Sequence, residues 1–349
     1  MSKVVIVTDL HWGCRNDLSI FYGYFEKFYI QLLDYMETNG LKDLFVLGDI
    51  FDRRKYINFK TLDASKKLFF DKFKAAGITV HLIIGNHDIH YKETLALSSP
   101  VLILSQYDNV KVYNKPETLV MGNTSIDMIP WMCRENETSI VDFIKDSKSD
   151  LCFGHFEFAS FPMYKGIDCL HGMSTDLFQK YELVCSGHYH TRSRRDNIVY
   201  VGTPYEMSWQ DQGDPKGFHT FDLESRSLEF HTNPNVLFHR LVYDDQDLID
   251  LNQYSLENCF IKLVATSKND VYKFDQFINQ LYSKSCYEVK IIEDINEVEG
   301  EIGEDIDLED TLDVLSNYIQ SIGLQEKDTS MLTQFMKTLY IEAVNSEEM

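Results

Sequence analysis

Five short segments constrain this chain more than any other feature. They are Asp9-Leu10-His11, Gly48-Asp49-Ile50-Phe51-Asp52, Gly85-Asn86-His87-Asp88, Gly154-His155 and Gly187-His188-Tyr189-His190. Each closes a run of apolar residues, such as Val4-Val5-Ile6-Val7 before the first and Leu44-Phe45-Val46-Leu47 before the second. Short apolar runs rich in β-branched residues read as buried strands. A strand delivers its last residue to one edge of a sheet, so five strands that share an edge gather their polar ends around one point. Asp, His and Asn side chains collected in this way can hold a metal.

The intervening pattern supplies the helices that such a sheet needs. Residues 17–38 carry Leu18, Phe21, Phe25, Phe28, Leu32 and Met36 at helical spacing, with Asn39-Gly40 as the stop. Residues 58–75 form a second helix ending at Ala76-Gly77, and a third is expected near 94–106. Strands are expected at Val4–Thr8, Leu44–Leu47, Thr79–Ile84, Val110–Tyr113, Thr124–Ile129, Leu151–Phe153, Leu183–Cys185 and Ile198–Val201. Early β-α-β-α-β followed by shorter strands predicts an α/β fold, a two-sheet sandwich with helices outside, over residues 1–235. A small α+β capping module is expected over 236–292, with a strand at Cys259–Thr266, a helix near 269–283 and a strand at Tyr287–Ile292. Residues 293–313 hold eleven acids and no Lys or Arg, which reads as an acidic linker over 293–310. Two amphipathic helices follow within 311–349, the second repeating Met331, Leu332, Phe335, Met336, Leu339, Tyr340 and Val344 on one face.

The ligand types narrow the metal. Asp, His and Asn without thiolate suit Mn²⁺, Fe or Zn. At least seven candidate ligands exceed what one tetrahedral ion uses, so two ions are the economical reading, with a carboxylate such as Asp49 as the bridge. Two ions ~3.5–4 Å apart clamp a phosphoryl oxygen and activate a water for in-line attack. In Asn86-His87-Asp88, Asn86 offers a neutral oxygen ligand. His87 is then free to act on the substrate, and Asp88 is placed to orient it and favour its imidazolium. The glycine before each of four ligands permits a tight turn and a close approach of substrate.

Charge and cysteine content add limits. The formal net charge is −22. It is uneven: residues 1–235 hold 25 Lys+Arg against 31 Asp+Glu, net −6, and residues 236–349 hold 8 against 24, net −16. A DNA-binding surface on the first part is therefore permitted. Seven cysteines with no CxxC pair fit a reduced, cytoplasmic protein rather than a disulfide or structural-zinc scaffold. No apolar run approaches the ~20 residues that span a bilayer, and no membrane association is expected. No P-loop is present, so ATP would be held elsewhere.

The ordered set D-x-H, G-D-x-x-D, G-N-H-D, G-H and G-H-x-H resembles that of the calcineurin-like metallophosphoesterases. The stretches Gly85–Lys92, Asn109–Pro116 and Ile126–Cys133 further resemble phage recombination-endonuclease subunits of the SbcD-type double-strand-break repair family. The resemblance implies that Asp9, His11, Asp49 and His190 hold one metal and Asp49, Asn86, His155 and His188 the other. It implies that His87 is the substrate-facing acid, and that the cofactor is two divalent ions, Mn²⁺ before Mg²⁺. It also implies a DNA exonuclease with endonuclease activity on duplex and single-stranded ends. The implied partner is an SbcC-type ATPase with a long coiled coil, bound by Leu332, Phe335, Met336 and Leu339 of the C-terminal helices. A homodimer within a heterotetramer is expected through Leu62, Phe69, Leu102 and Leu104. If the chain is a phage protein, it works in the host-cell cytoplasm.

Plainer readings stand beside these. Arg53, Arg192, Arg194 and Arg195 are candidate DNA contacts or solvated edges. His81, His90, His219, His231 and His239 lie outside the motifs and read as structural or surface histidines. The roles of Asp52 and of His171, in the aromatic loop after His155, stay open. Gly-Asp-Ile-Phe-Asp-Arg is similar to the matching segment of phosphoprotein phosphatases, which keeps a protein or small-molecule phosphatase as an alternative. A non-enzymatic scaffold for the ATPase is the other, opposed by the completeness of the ligand set.

Overall fold

The computed structural model describes residues 3–164, 167–169 and 172–292, together with Ile319, Leu332 and Met336. Two six-stranded sheets stack face to face. The first runs Leu228–Thr232, Gly217–Asp222, Lys3–Val7, Asp43–Val46, Thr79–Ile83 and Val110–Tyr113 in spatial order. Its last four strands are parallel, and the first two form an antiparallel extension. The second runs Ser193–Arg195, Ile198–Tyr200, Leu183–Gly187, Leu151–His155, Thr124–Ile129 and Glu117–Met121, parallel at its centre and antiparallel at both edges.

Strand alternation explains why the apolar runs are continuous. Val4 and Ile6, with Phe45 of the neighbouring strand in their own sheet and Leu47 just after it, face the second sheet and meet Ile126, Met128, Phe153 and Cys185. Val5 and Val7 face outward into the helix layer with Leu44, Val46, Val80 and Leu82. The helix Ile20–Thr38 covers that face with Phe21, Phe25, Phe28, Leu32 and Met36, all fully buried. It starts three residues later than the periodicity predicts, because Arg15, Asn16 and Asp17 adopt left-handed backbone and Leu18 is extended. On the other side, the helix Glu137–Asp146 lays Ile140 and Ile144 against Cys152, Val184 and Ile198.

Two expectations are corrected here. Residues 94–106 are not one helix. Thr94–Ser98 is a strand paired with Ile89–Tyr91, and only Ser99–Ile103 is helical. Pro100 explains the boundary, since proline is tolerated in a first helical turn and not in an interior. The proposed dimer residues also divide. Phe69 (0% exposed) and Leu104 (1%) are core, Leu62 packs against that core, and Leu102 (63%) faces outward. Phe69 lies in a π-helical stretch, Lys66–Phe70, inside the helix that begins with Asn58 capping Lys60 N.

The capping segment holds one strand more than expected. Phe238–Asp244 pairs in parallel with Phe260–Ser267, which is central, and Glu288–Ile292 completes the three-stranded sheet. The helix Val271–Ser283 packs Phe277 and Leu281 onto Leu241, Tyr243, Ile261 and Leu263. Residues 1–291 form one compact unit, and Leu237, Phe238 and Phe260 share the core of the first helix layer. Residues 292–349 form a second unit, in which Leu332 and Met336 are helical and half-buried. Phe335, Leu339, His171 and the acidic linker lie outside the described residues. All seven cysteines are free, and no described helix is long and apolar enough to cross a membrane.

Candidate metal centre

The strand register brings the five segments level. Val5, Ile6 and Val7 pair with Leu44, Phe45 and Val46, and the ladder continues beyond the strands as Asp9 N–H donates to Gly48 O and His11 N–H to Asp49 O. In the second sheet Gly187 stands opposite His155. Two glycines allow the ends to close. Gly48 has φ +102°, and a Cβ there would lie 2.3 Å from His155 Nδ1. A Cβ on Gly187 would lie 2.1 Å from Thr8 Oγ1 and 2.5 Å from Leu47 O. The close approach these glycines serve is therefore between strand ends of the two sheets. Asp9, His11, Asp49 and His188 themselves have positive φ, a strained state that clusters at functional positions.

All seven candidate ligands meet. Asp49 is central: its Oδ2 lies 3.3 Å from His155 Nε2 and 3.8 Å from His11 Nε2, and its Oδ1 accepts the His87 N–H at 2.8 Å. On one side Asp9, His11 and His190 offer atoms within 4.8 Å of one another. On the other, Asn86 Oδ1 lies 2.9 Å from His155 Nε2 and 3.1 Å from His188 Nδ1. Asp9, Asp49 and His155 form a further such group across the middle.

Outer contacts hold three of the rings. His155 Nδ1 donates to Leu47 O at 2.6 Å, which leaves Nε2 facing Asp49 and Asn86. His11 Nδ1 lies 3.3 Å from Asp52 Oδ1, which turns Nε2 to Asp9 and Asp49. His188 Nε2 lies 3.8 Å from Glu157 Oε2, which leaves Nδ1 to Asn86. Of these, the Leu47 carbonyl accepts a hydrogen bond and fixes the tautomer of His155.

Metal-ligand lone pairs thus converge on one another in a largely buried site. Burial drives the His188 and His190 imidazoles towards the neutral form, His190 to about 3 with help from His11. Burial also raises Asp9, and the Asp49 carboxylate beside it adds to this while His155 opposes it. On His155 burial is outweighed by Asp49 and Asp9, which lift it to about 9. A divalent ion among these buried carboxylates and imidazoles would offset the cost of desolvating them. The donor set of carboxylate, imidazole and amide oxygen fits divalent ions.

Residues 2–192 match the calcineurin-like phosphoesterase family. The chain belongs to that family. It is 33% identical over 344 residues to exonuclease subunit 1 of Enterobacteria phage T4, covering 98% of this chain and 99% of that protein. Among solved structures it is similar to a dimetal phosphatase from Danio rerio, at 12% identity and a TM-score of 0.41 over 63% of this chain and 92% of that one. An archaeal phosphodiesterase aligns at 9% identity and a TM-score of 0.34 over 66% and 99%.

Within this phosphoesterase site, Asp88 is not where the sequence reading put it. Its carboxylate accepts the N–H groups of Asp49, Ile50 and Gly85, each at 2.9 Å, and is fully buried. Burial and the nearby Asp49 raise it to about 6. It ties two ligand loops together, while the His87 Nδ1 donates to the carbonyl of Asp52 at 2.6 Å.

Asp52 therefore touches both His11 and His87. Glu157 was missed, although it stands two residues beyond His155. Trp131 was missed as well. It follows the strand Thr124–Ile129 at the same edge, with its ring 5.1 Å from His188 and 5.8 Å from His155. The four candidate DNA-contact arginines have local partners. Arg53 pairs with Asp17 at 3.1 Å, Arg192 lies 4.0 Å over Phe230, Arg194 donates to Asp196 O, and Arg195 pairs with Asp168 at 3.3 Å.

Proposed function

We propose that this chain is a DNA nuclease that hydrolyses phosphodiesters at two Mn²⁺ ions. It acts as an exonuclease on duplex ends, with endonuclease activity, in a recombination and repair complex with an SbcC-type coiled-coil ATPase. The observation that carries this reading is the convergence of seven ligand-type side chains around Asp49, in a chain aligned end to end with a phage exonuclease subunit. Asp9, His11, Asp49 and His190 would hold one ion and Asp49, Asn86, His155 and His188 the other. When bound, such a pair clamps the phosphate and activates a water for in-line attack.

The residues of this chain do the rest. His87 is held by its Nδ1–H to Asp52 O and by its N–H to Asp49, so its Nε2 can carry a proton to the leaving oxygen. Arg53, Arg192, Arg194 and Arg195 supply backbone contacts without base reading. A homodimer face would use Leu62 and Leu102, and sedimentation as a monomer at micromolar concentration refutes it. The segment bearing Leu332, Phe335, Met336 and Leu339 would dock on the ATPase, by the helix-in-groove mode of recognition.

The test is cleavage of end-labelled duplex DNA with Mn²⁺, with and without the ATPase subunit. Release of nucleotides is expected. Activity confined to phosphoproteins or small phosphate esters refutes the reading.

A further inference from the structure

Three of the four ligand histidines have a ring nitrogen beside a protein acceptor: Leu47 O, hydrogen-bonded to His155, Asp52 at 3.3 Å from His11 and Glu157 at 3.8 Å from His188. His190 has no such anchor among the described residues. Its recorded ring contacts are with His11, 3.3 Å away at Nε2. It is held by its main chain instead. Its carbonyl accepts the Thr203 N–H at 3.1 Å and the Lys216 ammonium at 2.9 Å.

Lys216 is unusual in itself. It is 5% exposed, and its Nζ lies 2.7 Å from Asp211 Oδ1 and 3.1 Å from Asp214 Oδ2. Burying an ammonium is costly unless it is fully paired, and a positive charge near a cation site works against the cation. A neutral donor would satisfy one carbonyl at less cost. The charge is instead matched by a fixed carboxylate: Asp211 Oδ2 accepts the N–H groups of Met207 and Ser208, both at 3.0 Å. One residue earlier, Glu206 Oε2 accepts the N–H groups of Leu237 and Phe238, at 2.7 and 3.0 Å, where the three-stranded sheet begins. A continuous polar chain thus runs from His190 to the first strand of the capping segment.

We propose that Lys216 is a positioning residue of the metal centre. It fixes His190 through its carbonyl, in place of a ring anchor, and with Asp211 and Glu206 ties that ligand to the start of the capping sheet. This rests on the reading of His190 as a ligand.

The test is titration of the metal-free full chain with Mn²⁺ alone, followed by calorimetry and electron paramagnetic resonance, with melting measured in chelator. Two sites are expected in the unaltered protein, and His190→Ala identifies the one that His190 serves. Lys216→Met should weaken that same site by ~10–100-fold, the usual cost of losing an outer support, and leave the other unchanged. Two unchanged sites overturn the proposal, as does equal weakening of both in step with a lower melting temperature. If Lys216→Met does not fold, Lys216→Gln, which keeps a donor without the charge, is judged by the same outcomes at a smaller loss. Fewer than two sites in the unaltered protein, or two intact sites in His190→Ala, overturns the ligand reading and the proposal with it.

Discussion

The two ends of the sandwich both bury polar side chains, and they do so in opposite ways. At the end away from the ligand edge, a cavity of about 790 Å³ is lined by Asp43, His81, Lys111 and Arg226, among others. There His81 is fully partnered: Nδ1 meets Tyr113 OH at 2.9 Å, Nε2 meets Asp43 at 3.1 Å, and its ring stacks on Phe45. Donors match acceptors and nothing further is needed. At the ligand edge, His155 Nε2 faces Asp49 and Asn86, and His11 Nε2 faces Asp9, Asp49 and His190. Ligand-type atoms crowd together there around Asp49, and a divalent ion would satisfy them together. A buried histidine in a strand is thus not diagnostic. What separates a ligand from a structural residue is whether its hydrogen bonds close locally.

Removing metal should show this contrast most strongly. Dialysis against a chelator should abolish phosphodiester cleavage and leave the His81 end intact, which restoration by Mn²⁺ and an unchanged near-ultraviolet spectrum check. Next, His87→Ala should lower turnover by roughly 10²–10⁴-fold, the range for general acid–base groups, with unchanged metal stoichiometry. Turnover at the original rate would remove His87 from the chemistry. Asp52→Ala should weaken metal binding by about 10–100-fold, because it frees the His11 ring. Calorimetric titration reads this, and an unaltered affinity would make Asp52 a bystander. His81→Ala should do the reverse. Leaving Tyr113 and Asp43 without their partner should cost about 1–3 kcal/mol in thermal or denaturant unfolding, with no change in kcat.

The smallest expected effect is a pH dependence. Burial, with Arg192 and His231 nearby, lowers His219 to about 3 from an ordinary 6.5. The unfolded chain then takes up the proton before the folded one does. Its contribution is full above about pH 6.5 and is lost as pH falls towards 3. His219→Gln should flatten that acid limb between neutral pH and pH 5. Equal losses in both proteins would show that His219 does not titrate in this way.

Much of the fold was legible because its strands are apolar on both faces and its first helix repeats Phe21, Phe25 and Phe28 without interruption. Phe238–Asp244 was not, since His239 and Arg240 break its apolar run and it is secured by pairing with Phe260–Ser267. Nor was Thr94–Ser98, a five-residue strand whose partner lies just before it. Phe69 and Leu102 both read as apolar surface on a helix, and only packing sends one into the core and leaves the other exposed.

The sequence by itself determined the chemistry: which residue types stand at strand ends, hence divalent metal and a phosphoester. Residue type and local spacing suffice for that, because both are properties of the chain before it folds. The tertiary structure decided who supports whom. It gave His87 to the Asp52 carbonyl, turned Asp88 towards backbone N–H groups of two ligand loops, and placed Lys216 behind His190. All but the Asp88–Gly85 pairing join residues tens of positions apart, and all run through backbone carbonyls and N–H groups, so no pattern of side chains could announce them.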